Sequence, residues 1–557
     1  MRKRIIATLM ALCMALSLLP VQVLATEGAA QKTESAEQTT GVASGGAEGA
    51  YANGADAKIA LLQGTEQAYQ LFVKMPTGST ITLNGVSSSD TIFSVKTRIA
   101  RETSIPAEQM LLTFKDNGLA DEKTLAECGI QRESTLILRL KITEAAALAE
   151  AVQKSGTVTL GADIDIDSTL VISSYVSVTL DLNGYVLRMT GSDSVFKVAG
   201  EGSLTVTDSS TESRAHTFTV GDDGLWKLEA GGEKTVTGGI ITTGENAANG
   251  GGVYVEKYGW FTLESGSIVG CRASGSGGGV VTDGGEDANG TFFMYGGTIE
   301  GCMSGGIGGG VSNDGVFVMK GGSIRSCSVV STGSEEGRGG SIHFSGSTTI
   351  SGKAEVSAPN NGKLHIVGRK TLTISGDAEI KASMDLEGDL YADGGTISGE
   401  VATTGAITGS EGATGTTTFT KAVESSGTIE NDVFEGEVTN KESGTIKGGT
   451  FKKKVANEGT IEGGTFKKKV ANEGTIEGGT FEGTVRSRTS YGAEKAAVIR
   501  DGTFNGHVES YSSIENGVFA GEVESEGTIS GGTFTGTVMN KVGSTIEGGT
   551  FEKKVAN

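Results

Sequence analysis

The chain has 557 residues, with 46 lysines and arginines against 67 aspartates and glutamates, for a net charge of −21. Such an acidic balance disfavours binding to nucleic acid or to anionic membrane and favours solubility. Glycine supplies 89 residues and proline only 4, without a collagen triplet, and five cysteines are too few for a disulfide-dense scaffold.

Arg2-Lys3-Arg4 precede an apolar stretch from Ile5 to Leu19, followed by Val23-Leu24-Ala25. Basic, then apolar, then small residues predict a secretory signal over 1–25, cleaved after Ala25. The apolar run is shorter than the roughly 20 residues that a membrane span requires, and no later stretch exceeds it, so no transmembrane segment is expected. Cleavage would remove Arg2, Lys3 and Arg4, leaving 43 basic against 67 acidic residues, a net charge of −24, and four cysteines. The expected location is outside the cell, secreted or on its surface. Residues 26–68 are poor in apolar side chains and read as a flexible linker.

Residues 69–142 form a first domain. YQLFVKMPTGSTITL alternates apolar and polar residues around Pro76-Thr77-Gly78, a hairpin signal. Asp90 is expected to cap a helix whose apolar face is Ile92, Val95 and Ile99, with Pro106 stopping it. MLLTF and STLILRL supply further strands. The segments QLFVK, TGSTITL, SDTI followed by VK, IP, and IQRESTLILRL resemble ubiquitin in order and spacing, with one residue inserted near Gly85. The resemblance implies a β-grasp fold. It also implies what is missing: the Gly-Gly used for conjugation is Glu144-Ala145 here. The apolar recognition patch becomes Pro76, Thr113 and Arg139, and two linkage lysines become Asn117 and Arg132. Ubiquitin receptors are therefore not expected as partners.

From Thr143, EAAALAEAVQ reads as a short amphipathic helix with Thr143 as its cap. GADIDIDSTLVI, VSVTLDLNGYVLRM, SVFKVAG and SLTVTD follow as closely spaced strands. SGSIVGC at 265–271, GGTIEGC at 296–302 and GGSIRSC at 321–327 recur with strands before each. A glycine triplet and valine recur at Gly250–Val253, Gly277–Val280 and Gly308–Val311. This repeat predicts a parallel β-helix over 143–400. It resembles secreted glycine-rich β-helix repeat proteins of pectate-lyase-like and adhesin type, in which a helix caps the N-terminal coil. Cys271, Cys302 and Cys327 each follow the same isoleucine by three residues, so they are expected to stack on successive coils, pointing parallel, as free, buried thiols; the position resembles one where such β-helices carry a ladder of small polar residues.

Residues 401–557 repeat more tightly, as GTIxGGTFxxxVxNE. Ile446, Ile461 and Ile476 are 15 apart, as are Phe451, Phe466 and Phe481, and Val455, Val470 and Val485. Strict alternation from Phe451 would bury Lys453 beside Val455, which is costly, so a corner is expected between them. Three short sides with one apolar residue each predict a narrower solenoid. Asn440, Asn457, Asn472, Asn540 and Asn557 share one repeat position, expected as an amide ladder at a turn where Asn takes positive φ. The sequence stops at KKVAN, inside a repeat, so a continuation or a capping partner is expected beyond Asn557.

Chemistry-bearing residues are sparse. Asp163, Asp165 and Asp167 share one strand face, where they could hold calcium; the outer polar face of a half-buried strand accounts for them equally simply and is preferred. Asp283, Glu286 and Asp287 read as a solvated acidic loop. His216, His343, His365 and His507 have no metal-motif spacing, and no CxxC, GxSxG or phosphate loop is present. Lys452–Lys454 and Lys467–Lys469 form a basic patch suited to an anionic glycan, or one balanced by Glu458, Glu462, Glu473 and Glu477. No catalytic, cofactor-binding or metal-binding residue is assigned, and no cofactor is expected. The expected function is that of a secreted or cell-surface, non-enzymatic repeat protein, adhesin-like or scaffolding, with a non-conjugatable ubiquitin-like domain and a glycan or surface polymer as partner. The alternative is a polysaccharide lyase or glycoside hydrolase on the same scaffold, which a groove of clustered Asp with Arg or Lys would favour.

Overall fold

The computed structural model describes residues 68–556 except 116, 223, 245–246, 286–287, 331–339, 359–362, 369, 410–414 and 494. The predicted signal (1–25) and all of the predicted linker except Ala68 lie outside the described residues, as does Asn557. The architecture is mainly β: a β-grasp domain followed by a long parallel β-solenoid.

The first domain is a mixed sheet in the order β2-β1-β5-β3-β4, with strands β1 (Tyr69–Lys74), β2 (Thr80–Val86), β3 (Met110–Phe114), β4 (Asn117–Gly118) and β5 (Thr135–Leu140). β1 pairs antiparallel with β2 and parallel with β5, and the predicted hairpin closes at Gly78, φ +87°. The register of β1 on β2 shifts between Tyr69 and Leu71, opposite Gly85 at φ +69°. The residue inserted there relative to ubiquitin is thus absorbed as a bulge, where glycine tolerates the left-handed backbone. Helix α1 (Ile92–Thr103) lays Ile92, Val95 and Ile99 on Leu71, Val73, Leu112, Leu136 and Leu138. Its cap is Thr91, whose side chain accepts from Ser94 N, and not Asp90, which instead accepts from Ser87 N at 3.0 Å. A hydroxyl one residue closer to the first turn took the capping role.

Helix α2 (Ala145–Ala151) covers the start of the solenoid. Leu148 and Val152 are fully buried in the same core as Val158, Leu160 and Ile164. Its N-cap is Glu144 without a side-chain bond, so the expected Thr143 cap is corrected: the chain at 142–143 is extended and held against the first coil. Ile142 N donates to Thr159 O at 2.8 Å, and Gly161 N donates to Ile142 O at 2.7 Å.

The solenoid stacks strands in parallel, coil on coil, with like residues in register. Ile268, Ile299 and Ile324 pair across successive coils, as do Val253, Val280 and Val311. An antiparallel three-stranded insertion (Ala215–Val220, Trp226–Leu228, Lys234–Thr237) packs Phe218 and Trp226 against Val186, Ile240 and Val269. Gly301, at φ +59°, lies so close to the Trp226 ring that a Cβ there would sit 2.3 Å from it.

In the C-terminal coils each 15-residue unit has the three expected sides, for example Thr460–Ile461, Thr465–Phe466 and Val470–Asn472. Lys467, Lys468 and Lys469 occupy the expected corner and point into solvent. Phenylalanines from Phe419 to Phe551 stack with ring centroids 4.6–4.9 Å apart, the spacing of neighbouring strands. Each buried ring contributes about 1.5–3 kcal/mol of transfer free energy, beside the equally buried isoleucine and valine columns.

The asparagine ladder forms, but not at a positive-φ turn. Asn440, Asn457 and Asn472 end strands and are buried. Side-chain amides are satisfied by one another there, so the backbone needs no special conformation. The ladder ends in serines at Ser487, Ser510 and Ser525, and the half-buried Asn540 accepts from Ser544 instead of from a neighbouring amide.

Candidate binding face

Sequence repetition carves the clearest surface feature. Where the repeat reads GGT, two glycines separate two sides of each coil, and a groove of about 690 Å³ lies over them. It runs along the solenoid axis from Asn431 to Val518, lined by Gly449, Gly464, Gly479, Thr450, Thr465 and Thr480. The second glycine of each pair has φ between +105° and +113° at Gly449, Gly464, Gly479, Gly532 and Gly549, a conformation that side chains resist.

Hydrogen bonding in this groove is one-sided. The carbonyl of Gly449 accepts from Thr465 N, that of Gly464 from Thr480 N, and that of Gly479 from Thr503 N, at 2.8–2.9 Å. The amides of Gly449, Gly464 and Gly479 meet no acceptor among the described residues. Gly502 shows what such an amide takes: it donates to Asp501 Oδ1 at 2.8 Å. The groove is therefore a row of donors and threonine hydroxyls, with Glu477 and Asp501 lining it.

At the N-terminal end of the groove Asp432 replaces the second glycine. It is 3% exposed, its Oδ1 accepts from Thr417 N at 3.0 Å, and its Oδ2 has no partner among the described residues. Burial, partly offset by the Thr417 bond and reinforced by Asp393, pushes its carboxyl up to about 7.

The residues singled out from sequence are dispersed. Asp163 Oδ1 accepts from Val186 N at 2.9 Å, and Asp165 holds Arg188 through two bonds of 2.8 and 2.5 Å. Both line a smaller cavity of about 490 Å³ with Glu144 and Arg188. Asp167 points outward beyond Ile166. Asp283 accepts from Tyr254 Oη at 2.6 Å, while Glu286 and Asp287 lie outside the described residues. Among the described residues no group of three or more His, Cys, Asp or Glu side chains is placed to hold a metal ion, and no helix is long and apolar enough to cross a membrane.

The lysine corners form ion pairs with glutamates one coil away, but not with the glutamates named from sequence. Lys452 reaches Glu435 at 2.9 Å, and Lys467 pairs with Glu482. Lateral neighbours on the same face of the stack win over residues of the same coil. Cys271, Cys302 and Cys327 are fully buried, and these three and Cys128 are free.

Sequence spacing alone missed one pairing. His343 and His365 occupy matching positions of adjacent coils, with Nδ1 atoms 3.2 Å apart. The signal was there: IHF and LHI are separated by 22 residues, one coil in that part of the chain.

Against known families, residues 71–143 match the model described as the Ubiquitin family. Together with the sheet order and the buried helix, this match shows that the solenoid is preceded by a ubiquitin-family domain of β-grasp fold.

Proposed function

We propose that this is a secreted or cell-surface, non-enzymatic, adhesin-like repeat protein whose solenoid holds an extended neutral glycan along the glycine-floored groove. The observation that carries the reading is the donor row: open amides at Gly449, Gly464 and Gly479 beside threonine hydroxyls, with the neighbouring carbonyls already used. A polyhydroxyl chain supplies the acceptors that this row needs. Glu477 and Asp501 in the lining disfavour polyanions. Near-identical coils present the same contacts again and again, which suits a polymer better than a single small substrate. The signal predicted at 1–25 supports export.

A glycan array probed with the full chain tests this. Binding to neutral polysaccharides that falls at least tenfold in Thr465→Arg/Thr480→Arg supports the reading, and unchanged binding in that variant overturns it.

The cavity beside Asp163, Asp165 and Arg188 favours a second reading, a polysaccharide lyase or hydrolase. Asp165 is engaged by Arg188 and Asp163 accepts from Val186 N, which disfavours either of them as the free base. Unsaturated sugar products that disappear in Asp163→Ala or Asp165→Ala would establish that reading over the first.

A further inference from the structure

The outer face of one solenoid side carries a column of polar residues on four successive coils: Ser312, His343, His365 and Asp385, each in register with the next. Parallel in-register stacking points equivalent side chains the same way about 4.8 Å apart. For the two histidines the rings lean together, with centroids 5.2 Å apart at 28° and Nδ1 atoms 3.2 Å apart. His343 is 4% exposed, and His365 is half-buried.

We infer that His343 and His365 form a two-histidine site for a late first-row divalent transition metal ion such as zinc. The geometry is the argument. Zinc–nitrogen bonds are about 2.0–2.1 Å, so two nitrogens 3.2 Å apart subtend about 100° at a shared ion, between square-planar and tetrahedral values. No rotation of the backbone is needed to bring the lone pairs together, because coil stacking has already fixed their separation. In the metal-free chain one Nδ1 can donate to the other, and both lone pairs reach the ion once the donor histidine carries its proton on Nε2 instead. Asp385, one coil beyond His365, adds negative charge to the same column. With two protein ligands, the ion keeps its other positions for water or for a donor atom from outside. This inference is independent of the glycan groove, which lies in later coils.

His507 is the competing site. Its ring nitrogens lie 3.9 Å from Glu509 and 3.7 Å from Glu522. The test is calorimetric titration of Zn²⁺ into the full chain at pH 7.5, with His343→Gln, His365→Gln and His507→Ala. The expected result is one ion per chain, affinity lowered at least tenfold by either glutamine variant and unchanged by His507→Ala. Binding should weaken between pH 7 and 5.5, as the imidazoles take up protons. His365 is half-open to solvent, so His365→Gln keeps the test valid if the buried His343 variant folds poorly. No zinc binding by the wild-type chain, binding that survives His365→Gln, or binding lost only in His507→Ala would each overturn the assignment.

Discussion

Asn457 Nδ2 donates to Asn472 Oδ1 at 2.7 Å, and Asn440 Nδ2 donates to Asn457 Oδ1 over the same distance. Each amide also donates to a backbone carbonyl of its own coil, Asn457 to Gly459 O at 3.1 Å and Asn472 to Gly474 O at 3.0 Å. The ladder fastens coil to coil inside the core, where no water replaces a lost partner. Replacing Asn472 by Ala removes the acceptor of Asn457 and is expected to cost about 1–3 kcal/mol. Hydrogen exchange of the amides at 455–475 should accelerate, while Asn540→Ala, in a half-buried position, should leave exchange there unchanged.

The head of the ladder is incomplete. Asn440 Oδ1 is buried with no partner among the described residues, and the residue in register below it is Ser425, too short to donate across the gap. Ser425→Asn should supply that donor, as every Asn-on-Asn step above does. A gain of about 1 kcal/mol is expected, read as a higher denaturant midpoint.

Removing one ring from the phenylalanine column leaves a cavity between two stacked neighbours. Phe466→Ala should cost about 3–5 kcal/mol and Phe466→Leu clearly less, measured by urea unfolding. Phe551 is only half-buried, so Phe551→Ala should cost less than Phe466→Ala.

Asp432 sets a pH dependence. Its carboxyl is raised by burial to about 7, against an ordinary value near 3.8. The folded chain therefore holds a proton that the unfolded chain releases between those values, so this group's contribution to stability falls as pH rises from about 4 to 7. Asp432→Asn should stabilise the chain at pH 8 by an amount on the order of a few kcal/mol, and by little at pH 3.5. Equal effects at both pH values would contradict the assignment.

The ubiquitin-family domain should be inert in conjugation. The chain at Ile142 does not end in a free tail but is bonded on both sides to the first coil, through Thr159 O and Gly161 N. The full chain incubated with activating and conjugating enzymes should form no thioester, and a thioester-linked adduct would contradict this.

Much of the fold was legible because repetition is itself a structural statement. Ile446, Ile461 and Ile476 could recur at 15 only if one coil has 15 residues, and the lysines between Phe451 and Val455 could be accommodated only at a corner. Caps were less legible: Asp90 and Thr91 are both competent, and the choice between them depends on one turn of backbone. The histidine pair was hidden for another reason. Coil length varies between 143 and 400, so residues 22 apart meet at one height of the stack while elsewhere the step is 25 or 31. The groove was illegible from residue chemistry because glycine amides, common to every residue, do its work.

The uniform register of the C-terminal coils makes length a discrete variable. Deleting or duplicating one 15-residue KKKVANEGTIEGGTF unit would change the stack by about 4.8 Å and return every isoleucine, phenylalanine and asparagine to an equivalent neighbour. The identical repeats at 452–466 and 467–481 are also the places where unequal exchange between copies of the coding sequence keeps the reading frame and the register together. A population of such chains could differ in reach without differing in fold.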